Sequence, residues 1–186
     1  MLTKGWLILI LFLFVTMGEV LSWTSSVPGA VQVRKAGGLT VVVFTAGLPT
    51  PLTVSSSQPF RRRPKGVSVF HVKLPVKQAK TAIGVQFSDK PSTNYLTPSY
   101  DPSNSQYVSM GGAGFIYPKS TLSRGKYGEG DSVCIKLDWD AQEVTFAVND
   151  GPVCGKTMLD PSVNFAYPSI SSEGGEVVCE VRLSEE

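Results

Sequence analysis

Between Ser132 and Asn149 apolar and polar positions alternate twice. Val133, Ile135 and Leu137 fall on one side of a first extended segment, and Val144, Phe146 and Val148 on one side of a second. A period of two places alternate side chains on opposite faces of a strand, so each segment predicts a half-buried strand. Asp140-Ala141-Gln142 lies between them and predicts the turn of a hairpin, with Trp139 just before it. Burying these aliphatic and aromatic side chains would contribute on the order of 10 kcal/mol gross, an upper bound. The net stability of a whole domain is about 5–15 kcal/mol. These positions are therefore expected to be core and are assigned no chemistry.

The same period runs through Val67 to Leu74, with Phe70, Val72 and Leu74 on one face and Val69, His71 and Lys73 on the other. Pro75 is expected to end that strand, because proline cannot donate to a ladder. Val31–Arg34 and Leu39–Phe44 flank Ala36-Gly37-Gly38 and predict a second hairpin. Ala82–Phe87, Phe165–Ile170 and Glu176–Leu183 complete the strands, the last with Val177, Cys179, Val181 and Leu183 on one face. Gly47 to Pro64 is rich in proline and serine and predicts a long connection with at most one short strand. Ser88 to Gln106 is polar, contains three prolines and has no period. A loop this long in a compact domain is usually functional or mobile. Beyond the N-terminal run no window carries a helical stripe, so residues 23–186 are expected to form one all-β antiparallel sandwich.

Composition narrows the picture. With 186 residues the chain suits one well-buried domain and is short for two. Its 18 glycines and 13 prolines fit many short strands joined by tight turns. A net charge of +2 argues against nucleic acid, whose binders carry a clearly basic face. The dense basic run, Arg61-Arg62-Arg63-Pro64-Lys65, reads first as a solvated loop. Trp6 to Val15 is an unbroken apolar run preceded by Lys4. It is short of the ~20 residues a spanning helix needs and matches the apolar core of a secretory signal. Residues 1–22 are therefore expected to be a signal peptide cut before Trp23. An uncleaved membrane anchor through residues 5–18 comes second, and an apolar helix lying on the sandwich third. The expected setting is the secretory pathway, secreted or anchored, and the cytoplasm if the segment is no targeting signal. Three cysteines, Cys134, Cys154 and Cys179, cannot all pair, Cys134 and Cys179 are expected to be buried within apolar strands, and no asparagine opens an N-x-S/T acceptor, features that pull against secretion.

A set of short motifs follows in order. Tyr127-Gly128-Glu129-Gly130-Asp131 precedes Val133–Asp138, then Phe146-Ala147-Val148-Asn149-Asp150-Gly151, then Tyr167-Pro168. Upstream stand Leu21-Ser22-Trp23, Gly38–Val41, Val69-Phe70-His71-Val72 and Ile83-Gly84-Val85. Together these resemble a SPRY (B30.2-like) domain over roughly residues 21–183. The departures are His71 where that family commonly has Glu, Asp150 inserted into its Asn-Gly, the long 88–106 stretch, and a missing Trp-Glu-Val-Asp signature. The resemblance implies a bent, concanavalin-like sandwich whose loops at one end form a shallow pocket for a short peptide of a partner. The motifs themselves read as structural. Gly128 and Gly130 are expected to turn the chain at positive φ, Asp131 to accept turn amides, and Asn149-Asp150-Gly151 to take left-handed geometry at a strand exit.

Catalytic chemistry finds few candidates. His71, the one histidine, lies mid-strand without the nucleophile and orienting group of a triad. There is no G-x-S-x-G elbow, no Walker motif and no C-x-x-C, the cysteines being 20 and 25 residues apart. Asp138 and Asp140 read as turn acids, and Asp101-Pro102-Ser103-Asn104 lacks the glycine and terminal glutamate of a calcium loop. No enzyme, cofactor or metal is expected. The expected function is a monomeric protein-interaction module that grips a peptide through rim loops. Arg61, Arg62, Arg63, Tyr95, Tyr100 and Tyr107 are its candidate contacts, since arginine and tyrosine bring contact area and directed hydrogen bonds. With no zinc-ligand cluster for a RING, any ubiquitin ligation would need another chain. The alternative is a secreted lectin-like carbohydrate binder.

Overall fold

The computed structural model describes residues 22–25, 27, 29–36, 39–45, 52–78, 80–89, 107–112, 116–117, 125–173 and 176–186. In chain order the first strands are β1 (Trp23–Ser25), β2 (Val31–Ala36), β3 (Leu39–Phe44), β4 (Leu52–Ser56), β5 (Phe60–Arg61), β6 (Val67–Lys77) and β7 (Thr81–Phe87). The rest are β8 (Tyr107–Gly111), β9 (Ile116–Tyr117), β10 (Ser132–Asp138), β11 (Glu143–Val148), β12 (Val153–Met158), β13 (Phe165–Ser172) and β14 (Val177–Glu185). Two antiparallel sheets result. One runs β1-β4-β13-β7-β8-β9 with β5 also on β13, and the other runs β12-β11-β10-β6-β14-β3-β2. Among the described residues no helix is long and apolar enough to cross a membrane, and residues 1–21, with the expected N-terminal helix, lie outside them.

The alternating positions close into one core between the sheets. Leu52, Val54, Ile83, Val85, Met110 and Ile170 of the first sheet meet Phe44, Phe70, Val72, Ile135, Leu137 and Phe146 of the second, all buried. The expected hairpin is present, with Val133 opposite Val148 and Asp138 opposite Glu143. Gln142 turns it at φ 53°, and Asp138 Oδ1 accepts the Ala141 N–H at 2.9 Å, which makes Asp138 a turn acid. The β2–β3 hairpin also forms, Ala36 opposite Leu39.

Four expectations need correction. Pro75 does not end its strand, since β6 continues to Lys77. The ladder to β14 shifts register where Leu74 and Pro75 face Cys179 alone, so Pro75 lies in a bulge of its own strand, where no ladder N–H is required. The stretch from Gly47 to Pro64 contains two strands, β4 and β5, and β4 is buried along its whole length. Its hydroxyls suit that place: Thr53 bonds Ser171 at 2.8 Å and Ser55 bonds Ser169 at 2.7 Å across β13. Of the two turn glycines only Gly130 has positive φ, at 84°. Cys134 alternates out of the core and is half-buried, whereas Cys179 is fully buried as expected.

The remaining motif residues are structural, as expected. Asp131 Oδ2 accepts the Gly128 N–H at 2.7 Å, and its Oδ1 accepts from the Asn149 amide at 2.6 Å. Asn149 Oδ1 in turn accepts the Ser132 N–H at 2.8 Å. Asn149 and Asp150 take φ of 53° and 54° at the exit of β11, whereas Gly151, expected to share that geometry, does not. Tyr127 is buried and donates its hydroxyl to the carbonyls of Thr81 and Met110 at 2.8 and 2.9 Å.

Candidate functional site

Strand pairing brings distant segments together at one end of the first sheet. The start of β13 faces β5 on one side, with Phe165 opposite Arg61, and the end of β7 on the other, with Ala166 opposite Phe87. β8 begins at the same end, Tyr107 opposite Gln86. In β5, Phe60 points into the core and Arg61, its neighbour, is exposed by strand alternation. Its guanidinium carbon lies 5.6 Å from the centre of the Phe165 ring, a cation–π contact.

Beside this contact a cavity of about 290 Å³ opens between the end of β7 and the β12–β13 connection. Phe87 and Phe165 supply its aromatic walls, and Asp89, Asp160, Ser162 and Asn164 its polar ones. The connection is held by two devices. Asp160 Oδ1 accepts the N–H and the hydroxyl of Ser162, each at 2.7 Å. Arg62 reaches in from the other side and donates to the carbonyls of Pro161 and Val163. Burial pushes the nearby Tyr167 phenol up, opposed by the charge of Arg61 and reinforced by Asp89.

The candidate residues therefore divide. Arg61 faces outward beside the cavity, Arg62 is spent on backbone carbonyls, and Arg63 pairs with Glu185 of the other sheet. Tyr107 stands at the correct end of β8, and Tyr95 and Tyr100 lie outside the described residues. Sequence reasoning missed Phe165, Asp89, Asp160 and Asn164. Asp160-Pro161-Ser162 carries a turn signal, acid then proline then serine, that marks such a rim. Phe165 is readable as a strand residue, but which residue stands over it is not.

Two carboxyls are held below the usual carboxylate range. The Ser162 N–H and hydroxyl hold that of Asp160, with a smaller pull from Arg62, and the Asn149 amide followed by the Gly128 N–H hold that of Asp131. A lowered carboxyl contributes stability that is present above its unfolded value and lost as pH falls through its folded value. The melting temperature is expected to fall between about pH 5 and pH 2. Asp131→Ala and Asp160→Ala should each show a smaller fall over that window. A parallel fall in both variants would show that neither bond set contributes.

No family model and no curated protein matches the chain. Solved structures do. The SPRY domain of human HERC1 superposes with a TM-score of 0.61 at 16% identity, over 83% of this chain and 94% of that one. A second human SPRY domain gives 0.53 at 17% identity, over 81% and 93%. This chain has a SPRY-like fold. The carbohydrate recognition domain of Emp46p in its metal-free form superposes with a TM-score of 0.55 at 10% identity, over 88% of this chain and 87% of that one. The SPRY-like sandwich thus shares its architecture with a carbohydrate recognition domain, and at these identities the likeness speaks for the fold alone. The SPRY-like motifs of this chain serve the frame, while the exposed chemistry of Arg61 and Phe165 belongs to the rim.

Proposed function

We propose that the chain is a non-enzymatic, monomeric protein-interaction module that takes a short peptide of a partner at the loop end of the first sheet. One observation carries this reading. Arg61 is exposed over Phe165 beside a preformed cavity whose wall is fixed by Asp160 and Arg62. An arginine held over an aromatic ring loses little freedom on binding, and a rigid wall avoids the ordering cost that weakens loop sites. Arg61 offers its donors to a carboxylate or carbonyl of the peptide, and Asp89 and Asn164 offer acceptors to its N–H groups.

Peptides selected from a displayed random library on the wild-type chain test this. Arg61→Ala is expected to weaken their binding by about 10–100-fold, the effect of one lost charge-assisted hydrogen bond. Its melting temperature should stay near that of the wild type. Arg62→Ala is expected to lower the melting temperature and to weaken binding through the loosened connection. Unchanged peptide affinity in Arg61→Ala would overturn the site.

A second reading is carbohydrate binding. It is favoured by the likeness to the Emp46p carbohydrate recognition domain and by a cavity combining aromatic rings with carboxylate and amide acceptors. Binding on a glycan array that Arg61→Ala leaves intact and Asp89→Ala abolishes would favour it over the peptide.

A further inference from the structure

Beyond Val181, strand β14 loses its neighbour on one side. β3 begins at Leu39 and pairs with β14 only from Val177 to Val181. On the other side β6 accompanies β14 to Glu185, opposite Ser68. Among the described residues no strand pairs with Arg182–Glu185 on the β3 side.

The direction of the exposed backbone follows from one residue pair. Val67 and Glu186 exchange both N–H···O bonds, at 3.0 and 2.8 Å. Peptide groups alternate in direction along a strand. Glu186 and Ser184 therefore address β6, and Leu183 and Glu185 aim their N–H and C=O at the open side. The register irregularity lies further back, between Val178 and Glu180, and does not disturb this phase.

Two cavities flank the same edge, one on each side of the sheet. One of about 340 Å³ includes Pro59, Phe60 and Leu183 and opens between the sheets. The other, of about 400 Å³, includes His71, Arg182 and Ser184 on the outer surface. A strand laid along the edge would send alternate side chains into the two. Arg182 is exposed and makes no ion pair among the described residues, whereas Arg63 is matched by Glu185 and Lys156 by Glu143.

We propose that this half-open edge accepts an extended segment of a partner protein as an added strand, antiparallel to β14. An apolar side chain of the segment sits against Phe60 and Leu183, and an acidic one at the next position meets Arg182. Main-chain bonds to Leu183 and Glu185 supply affinity, and the two cavities supply selectivity. This surface is separate from the Arg61 site and stands or falls without it.

The test uses the full chain and a capped heptapeptide alternating valine with aspartate, beside the same peptide N-methylated at every second residue. In the free protein the amides of Leu183 and Glu185 should exchange with solvent quickly. The unmodified peptide should slow both about tenfold, and the N-methylated one should not. Glu185→Pro removes an N–H on the open side and no bond to β6. It should lose peptide affinity about tenfold relative to Glu185→Ala, which removes the same ion pair to Arg63. Should Glu185→Pro misfold, the exchange experiment still decides. Slow exchange of both amides in the free chain would mean that another segment, or at higher concentration a second copy, already fills the edge, and would overturn the proposal. Equal binding by the two peptides would overturn it as well.

Discussion

Trp139→Ala is expected to cost about 3–5 kcal/mol of folding free energy, the range for truncating a large buried aromatic. Trp139 follows the last residue of β10 and is 2% exposed. Its indole Nε1 donates to Ser68 Oγ at 2.8 Å, and its backbone N–H donates to the Gly66 carbonyl at 3.1 Å. The first bond ties the β10–β11 turn to the start of β6. Alanine would leave a cavity and strand the Ser68 hydroxyl, itself buried, without its donor. Against a net stability of about 5–15 kcal/mol, that is a large share. Urea unfolding should show a lower midpoint with an unchanged slope. A loss below about 1 kcal/mol would show that the turn end of this hairpin is not sealed.

Asn149→Ala is expected to cost about 2–4 kcal/mol, through two separable effects. The side chain joins Asp131 to the Ser132 N–H, so its loss opens a charge-assisted bond and frees a strand amide. The backbone is at φ 53°, where alanine bears the Cβ penalty of roughly 1–2 kcal/mol. Asn149→Gly removes the network and spares the backbone, so it should fall between alanine and wild type. Glycine as unstable as alanine would assign the whole effect to the side chain. Alanine as stable as wild type would mean that the Gly-Asp and Asn-Asp-Gly motifs do not hold the frame together.

How far the sequence carries depends on what signals each element. The β10–β11 hairpin is legible because every second residue is large and apolar and the turn is polar. β14 is legible for the same reason. β4 is not, because a buried strand whose threonine and serine pair with serines of β13 has the composition of a loop. Pro75 misleads because it lies in a bulge that β6 makes against β14, a strand remote in sequence, which only the register reveals. At the candidate site, Arg61 is legible as a residue type but not as distinct from Arg62 and Arg63. Strand alternation at β5 sends one outward, the β12–β13 carbonyls take the second, and Glu185 takes the third. Such sorting depends on what lies across space, and no local pattern encodes it. The half-open edge of β14 is equally hidden, since it arises where β3 happens to begin.

On the function proposed above, the two-layered sandwich is inert inside and meets its partner at the end where β5, β7 and β13 converge. Hydrogen–deuterium exchange of the full chain, with and without a selected peptide, tests it most directly. The account predicts slow exchange through β10, β11 and β13 in both states, with new protection confined to residues 60–62, 87–89 and 160–165. Protection falling instead on the outer surface of β10–β12, with the β5–β7–β13 end unchanged, would contradict it.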